Sequence, residues 1–235
     1  QDKFFITHIK IKEKGLSLAR NIGLNYVKGD IIAFPDDDCE YPPNLLSKVH
    51  ELFLKFDEFN VLTGISIDKK AKKISSGNFL KKKSEITTKN IFKSAISVTM
   101  FIKMKSNDSP LQFDERLGVG TNFGSAEETD YLFRLIRKGY KGFFNPEEIL
   151  VYHPCKKMNI EEEIKKAHSY GMGMGAFFKK HLIRERDFSL IKVFFLLFLI
   201  RPIGGILSGL LKLNYKISLL YINVLVARWK GLVKY

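Results

Sequence analysis

Apolar residues along this chain recur in two rhythms, and the switching between them predicts an α/β protein. Residues 4–11 read as a strand. Gly15 then turns the chain into a helix over 17–28, with Leu18, Ile22 and Tyr26 along its apolar face and Gly29-Asp30 as its stop. The continuous run Ile31-Ile32-Ala33-Phe34-Pro35 has the character of a strand buried on both faces of a parallel sheet. Pro42-Pro43 open a second helix, in which Leu45, Leu46, Val49, Leu52 and Phe53 keep helical spacing. Residues 60–67 and 97–104 read as two further strands around a Lys/Ser-rich surface excursion at 69–90. Gly118, Gly120 and Gly124 mark a flexible loop. Ser125 and Glu128 stand at capping-box spacing ahead of a helix to Lys138, Gly139 ends it, and a strand runs from Ile149 to Tyr152.

At 235 residues the chain can hold one α/β core with an appendage. Its 45% hydrophobic and 27% charged content is that of an ordinary globular protein. Cys39 and Cys155, far apart and outside any CxxC pair, exclude a disulfide framework and give zinc or redox chemistry no support. The first residue is Gln1 with no signal peptide before it, so the chain is expected to begin inside a longer product or to be processed.

The net charge of +14 is unevenly placed: residues 156–235 hold fifteen basic and five acidic side chains, and 188–235 hold seven basic and no acidic ones. Basic surface attracts polyanions, and the apolar content of this segment decides which kind. Residues 193–211 are nearly apolar, interrupted by Arg201-Pro202 and Gly204-Gly205. A spanning helix needs about 20 such residues, but the Arg-Pro break favours two shorter helices lying in a membrane interface. Residues 219–226 add another apolar run, and Trp229 between Arg228 and Lys230 has the makings of an interfacial anchor. A buried hairpin is disfavoured by the lack of acids. Nucleic acid is disfavoured as a partner, because the basic residues are interleaved with aliphatics rather than forming a polar stripe. Gly171, Gly173 and Gly175 do not make a dinucleotide fingerprint, because the sequence before them is helical; close helix packing or an acceptor-side loop fits them better.

Candidate chemistry concentrates in two acidic clusters. Asp36, Asp37 and Asp38 sit at the mouth of a buried-type strand, where mutual repulsion calls for a cation. In an extended segment Asp36 and Asp38 point the same way and could share a metal, while Asp37 faces elsewhere. Glu127, Glu128 and Asp130 open a helix, where carboxylates complement the dipole or supply a general base.

The stretch ARNIGLNYVKGDIIAFPDDDCEYP, followed by FDERLGVGTNFGSAEETDYLFRLIRKGYKGFFNPEEILVYHP, resembles the family 2 glycosyltransferases of the GT-A fold over most of residues 15–155. The resemblance implies a Rossmann-like α/β fold, with a mixed, mostly parallel sheet flanked by helices, followed here by C-terminal amphipathic and hydrophobic helices. It implies Mg²⁺ or Mn²⁺ on the diphosphate of a nucleotide sugar, with Asp38 as main ligand, Asp36 on ribose or metal, and His153 completing the site. Arg20 would lie near the nucleotide, and Asp37 and Glu127 join the substrate-contacting set. The family's Glu-Asp pair reads Glu127-Glu128 here, which puts the catalytic base on Glu128 and leaves Asp130 as second candidate. The family's opening βαβ unit, which grips the nucleobase, is not in this sequence, so residues 1–235 alone are expected to turn over little.

The expected layout is a partial catalytic core at 1–155, a helical linker or acceptor-side region at 156–187 and membrane-associated helices at 188–235. The expected activity is inverting sugar transfer to a glycan or lipid-linked acceptor in cell-surface polysaccharide synthesis, on the cytoplasmic face of an anionic membrane. The rival readings are a metal-dependent nucleotidyltransferase and an inactive membrane-binding transferase fragment.

Overall fold

The structure is a computed structural model and describes residues 5–75, 77–106 and 108–235. Helices α1 (Leu16–Leu24), α2 (Leu45–Lys55) and α3 (Glu127–Arg137) flank a five-stranded sheet. Its strands are β1 (Ile31–Ala33), β2 (Val61–Thr63), β5 (Ser84–Ile86), β6 (Met100–Lys103) and β7 (Gly142–Phe144), in the order β1-β6-β2-β7-β5. A second sheet, β4-β3-β8, is built from β3 (Ile65–Asp68), β4 (Lys73–Ile74) and β8 (Leu150–Tyr152).

The α/β class and the mixed sheet are as the sequence predicts, but the pairing corrects the expectation of mostly parallel strands. Among the described residues only the strand pairs β2–β7 and β3–β8 run parallel, and β6 enters antiparallel between β1 and β2. The aspartate-bearing strand is therefore an edge strand, registered Ile31↔Lys103 and Ala33↔Phe101, with only Ile32 fully buried. The strand expected at 4–11 is not formed across 5–11, and Phe4 lies outside the described residues. Phe5 and Ile6 are 94% and 90% exposed, and with no ladder partner an alternating pattern has nothing to pair with. The excursion at 69–90 supplies β4 and β5, and β5 closes the far edge of the main sheet on β7.

Gly64 splits the strand expected at 60–67 into β2 and β3. A Cβ there would overlap the Ile149 carbonyl oxygen, so the chain crosses β8 at backbone contact and passes into the second sheet. That crossing sets His153, just after β8, beside the aspartate turn: the His153 amide donates to Ile67 O at 3.0 Å.

Helix α1 also departs from its apolar reading. Its buried positions are Ser17, Asn21 and Leu24, while Tyr26 is exposed beyond its end. The polar pair is buried because it holds the loop after Phe113. Ser17 Oγ donates to Leu117 O at 2.7 Å, and the Asn21 amide brackets the Phe113 backbone at 2.6 and 3.0 Å.

C-terminal to the sheets, α4 (Ile160–Phe178) carries the three glycines inside a continuous helix, capped by Asn159 and Glu162. It continues through a π-helical turn, Lys179–Arg184. Helices α5 (Ile191–Phe195) and α6 (Arg201–Leu211) join through a second π turn, Leu196–Ile200, directly before Arg201-Pro202. The expected break is thus absorbed: a widened turn accommodates the missing proline amide, and Phe188–Leu211 is one 24-residue helical run. Helix α7 (Tyr215–Lys234) folds back on α4 and α6. One apolar cluster is continuous from Ile32 and Ile102 of the sheet through Phe133 of α3 to Phe177, Phe198 and Leu232.

Candidate active site

After β1 the chain turns rather than extends. Cys39 N donates to Asp36 O at 3.2 Å, and Asp36 N donates to Cys39 Sγ at the same distance. Glu40 and Tyr152 exchange backbone hydrogen bonds of 2.8 and 2.9 Å, which clamps the turn to β8. Together these bring one ligand atom each of Asp36, Asp38 and His153 within 4.8 Å of one another. Asp37 is exposed and outside the group. The pairing of Asp36 with Asp38 thus arises from a tight turn and not from strand alternation.

His153 Nδ1 lies 3.1 Å from Pro154 O, a carbonyl that can only accept and so favours the tautomer with its proton on this nitrogen when Nε2 faces a cation. In that tautomer Nε2 can ligate, and it lies 3.3 Å from Asp38 Oδ1. Two carboxylates and an imidazole, the last oriented by a carbonyl, make a donor set that fits Mn²⁺, or Mg²⁺ with water completing its shell. Lys156 Nζ, 3.5 Å from Asp38 Oδ2 on a largely exposed side chain, is at present the nearest counter-charge.

The second cluster forms where the loop held by Ser17 and Asn21 enters α3. The expected Ser125 capping box is not formed. Ala126 occupies the N-cap with φ 72, and Ser125 Oγ donates instead to Tyr170 O at 3.3 Å. A left-handed alanine costs roughly 1–2 kcal/mol, and this one turns the chain so that Glu127 and Glu128 lie together. Gly118, at φ 99, leaves room for the Glu127 carboxyl, because a Cβ there would stand 3.0 Å from Glu127 Cδ.

Glu127 is buried and paired with Arg20 at 3.4 Å, with side-chain exposures of 6% and 9%. Arg20 also donates to Ser97 Oγ at 2.9 Å and faces the rings of Phe34 and Phe113. It further lines a groove with Asp36 at the outer edge of β1, so this one side chain adjoins both acidic clusters. Glu127 Oε2 is buried with no protein donor. Burial, then the negative charge of Glu127 and a hydrogen bond between the two carboxyls, pushes the Glu128 carboxyl well above the ordinary glutamate range, with Arg20 opposing the shift. Two carboxyls this close resist ionising together, which adds to the upward shift at Glu128.

Asp130, the second candidate base, is withdrawn from this place. It is fully buried on the opposite side of α3, 2.8 Å from Arg134 Nε and 2.7 Å from both His181 Nε2 and Lys180 Nζ. Burial alone would raise its pKa, but these partners outweigh burial and hold it below the ordinary aspartate range. Its role is to anchor α3 to the end of α4.

A cavity of about 530 Å³ opens in front of Glu127 and Glu128. Tyr170 of α4, which nothing in the sequence pattern marks, lines it; burial and then the charges of Glu128 and Glu127 push its phenol up to about 12. Seating α4 this close requires its glycines. A Cβ at Gly173 would overlap the Ser125 carbonyl oxygen, and one at Gly175 the Arg228 carbonyl oxygen of α7.

Two acidic stations therefore face a groove and a cavity, one composed for a divalent cation and one for a proton, with Arg20 beside both. A search of curated proteins returned no match to the chain. Residues 1–106, which include the aspartate turn and Arg20, match the family model described as glycosyl transferase family 2. The match spans 106 of the 235 residues, so the likeness to glycosyl transferase family 2, enzymes that move a sugar from a nucleotide-sugar donor to an acceptor, is one of this N-terminal segment.

Proposed function

We propose that this chain carries out metal-dependent, inverting transfer of a hexosyl unit from a nucleotide sugar to a hydroxyl of a glycan or lipid-linked acceptor, in cell-surface polysaccharide synthesis. The observation that carries this reading is the division of labour between the two clusters. One potential ligand atom each of Asp36, Asp38 and His153 lies within 4.8 Å of the others, whereas Glu128 is a carboxyl of raised pKa in front of a cavity. A base is most effective when its pKa approaches the working pH, and burial beside Glu127 moves Glu128 in that direction.

Bound by Asp38, Asp36 and His153, Mg²⁺ or Mn²⁺ would supply positive charge against the departing diphosphate. Glu128, once ionised, takes the proton of the acceptor hydroxyl. The acceptor oxygen bonds to the anomeric carbon as the bond to the nucleotide diphosphate breaks on the opposite face, inverting that centre. Arg20 fixes Glu127, and Glu127 in turn sets the proton affinity of Glu128.

The C-terminal helices support a site of action at the cytoplasmic face of a membrane. Phe188–Leu211 has a mean hydropathy of 2.2, and Phe195, Ile200, Ile203, Leu207 and Leu211 are exposed along it. Among exposed apolar positions of α7, Leu219, Ile222 and Val226 stand between lysines. An anionic bilayer satisfies both the apolar face and the charge.

Calorimetric titration with Mn²⁺ and nucleoside diphosphates, together with a transfer assay, tests the assignment. Asp38→Asn should weaken metal-dependent nucleotide binding by about tenfold or more. Glu128→Gln should leave that binding intact and lower turnover by roughly 10²–10⁴-fold. Near-normal turnover in Glu128→Gln would remove Glu128 from the role of base.

A further inference from the structure

The cavity in front of the acid pair contains more positive charge than its own residues use. Glu127 is already paired with Arg20 at 3.4 Å, and burial beside it disfavours a charge on Glu128. Two lysines nevertheless line the same cavity, Lys93 from the turn after β5 and Lys166 from α4. Among the described residues neither forms an ion pair; the Lys166 ammonium instead lies 5.5 Å from the ring centre of Tyr170. The wall beneath them is apolar, contributed by Phe79, Phe92, Ile96 and Met174. A low-polarity wall strengthens the field of both ammonium groups, so the empty cavity favours an anion.

From this surplus we infer that Lys93 and Lys166 form a subsite for a phosphate group on the acceptor, which holds the acceptor hydroxyl in front of Glu128. The inference rests on the transferase reading and adds the chemical class of the acceptor: a phosphorylated one, whether a sugar phosphate on a lipid or a soluble sugar phosphate. The volume of about 530 Å³ suits a ligand of that size. The aromatic and aliphatic wall suits the apolar face of a sugar ring or the first carbons of a lipid chain. Asp36 and Asp38 would take the donor's diphosphate through a cation, while the lysines take the acceptor's phosphate directly.

The test uses the full chain and three probes: octyl phosphate, glucose 1-phosphate and the neutral octyl glucoside. Each is titrated calorimetrically into the wild type and into Lys93→Ala/Lys166→Ala, with Mn²⁺ and UDP titrated into both proteins in parallel. The expected result is at least about tenfold tighter binding of a phosphate-bearing probe than of octyl glucoside, lost in the double variant while binding of Mn²⁺ and UDP is unchanged. Tighter binding of octyl phosphate identifies a lipid-borne phosphate, and tighter binding of glucose 1-phosphate a soluble one. Equal binding of phosphate-bearing and neutral probes, or a phosphate preference that survives in the double variant, overturns the subsite. Absent binding of Mn²⁺ and UDP beside an intact, lysine-dependent phosphate preference would count against the transferase reading and leave the subsite standing.

Discussion

At the scale of single residues, the raised pKa of Glu128 is a cost to folding, and the proposed role of general base gives that cost a use. Its carboxyl is raised by burial and by Glu127, so the folded protein binds its proton more tightly than the unfolded chain does. Stability from this group is therefore full below the ordinary glutamate pKa and is lost as pH rises through the raised value. Glu128→Gln removes that dependence. Its melting temperature should exceed the wild type's at pH 8 and match it near pH 4, by about 2–4 °C for each kcal/mol relieved. The acidic limb of kcat/KM should lie above the ordinary glutamate range, and Arg20→Gln should move it higher still, since Arg20 opposes the shift. An acidic limb at the ordinary glutamate value, unmoved in Arg20→Gln, would contradict the coupling. The sequence disclosed the acids but not their partners: spacing alone placed Asp130 beside Glu128, whereas helical phase sends Asp130 to the far side of α3 with His181 and Lys180. Arg20 was legible as a site residue, but its contact with Glu127 is a property of the fold.

At the scale of elements, hydrophobic periodicity located α2, β6, β8 and the Gly139 stop closely. It misjudged those elements whose burial is polar or whose partner comes from elsewhere. Helix α1 buries Ser17 and Asn21 because they satisfy the backbone of a distant loop, which an apolar template cannot represent. Strand β5 is too short and polar to signal itself and exists through its pairing with β7. The glycines of α4 are a further case, and they can be tested. As a reference in α6, Gly204 has open space around its missing Cβ, so Gly204→Ala should stabilise the protein by about 0.5–1 kcal/mol through helix propensity. Gly173→Ala sets a methyl against the Ser125 backbone; it should cost stability and reduce transfer, because Ser125 leads directly into Glu127 and Glu128. Chemical denaturation and a transfer assay on both variants check this, and a Gly173→Ala protein with unaltered activity would refute the tight seating of α4.

At the scale of the whole molecule, charge and apolar exposure coincide at one end. Residues 188–235 carry seven basic and no acidic side chains, and the exposed apolar positions of Phe188–Leu211 and α7 lie among them. Replacing Lys212, Lys216, Lys230 and Lys234 with alanine should weaken cosedimentation with phosphatidylglycerol vesicles by about 1 kcal/mol per lysine, with little change on phosphatidylcholine. Equal loss on both lipids would point to misfolding rather than to an electrostatic contact. Helix α4 joins this end of the molecule to the reaction centre. Gly175 meets the backbone of α7, and Gly173 meets the backbone of the loop that leads into Glu127 and Glu128. Side chains can swing between rotamers and take up a displacement, but main chain pressed on main chain has no such slack. The helix therefore has the build of a rigid strut: with α7 on a bilayer and Glu128 as base, as proposed above, a shift of α7 would be passed on to that carboxyl, and lipid composition would become a variable of turnover as well as of attachment.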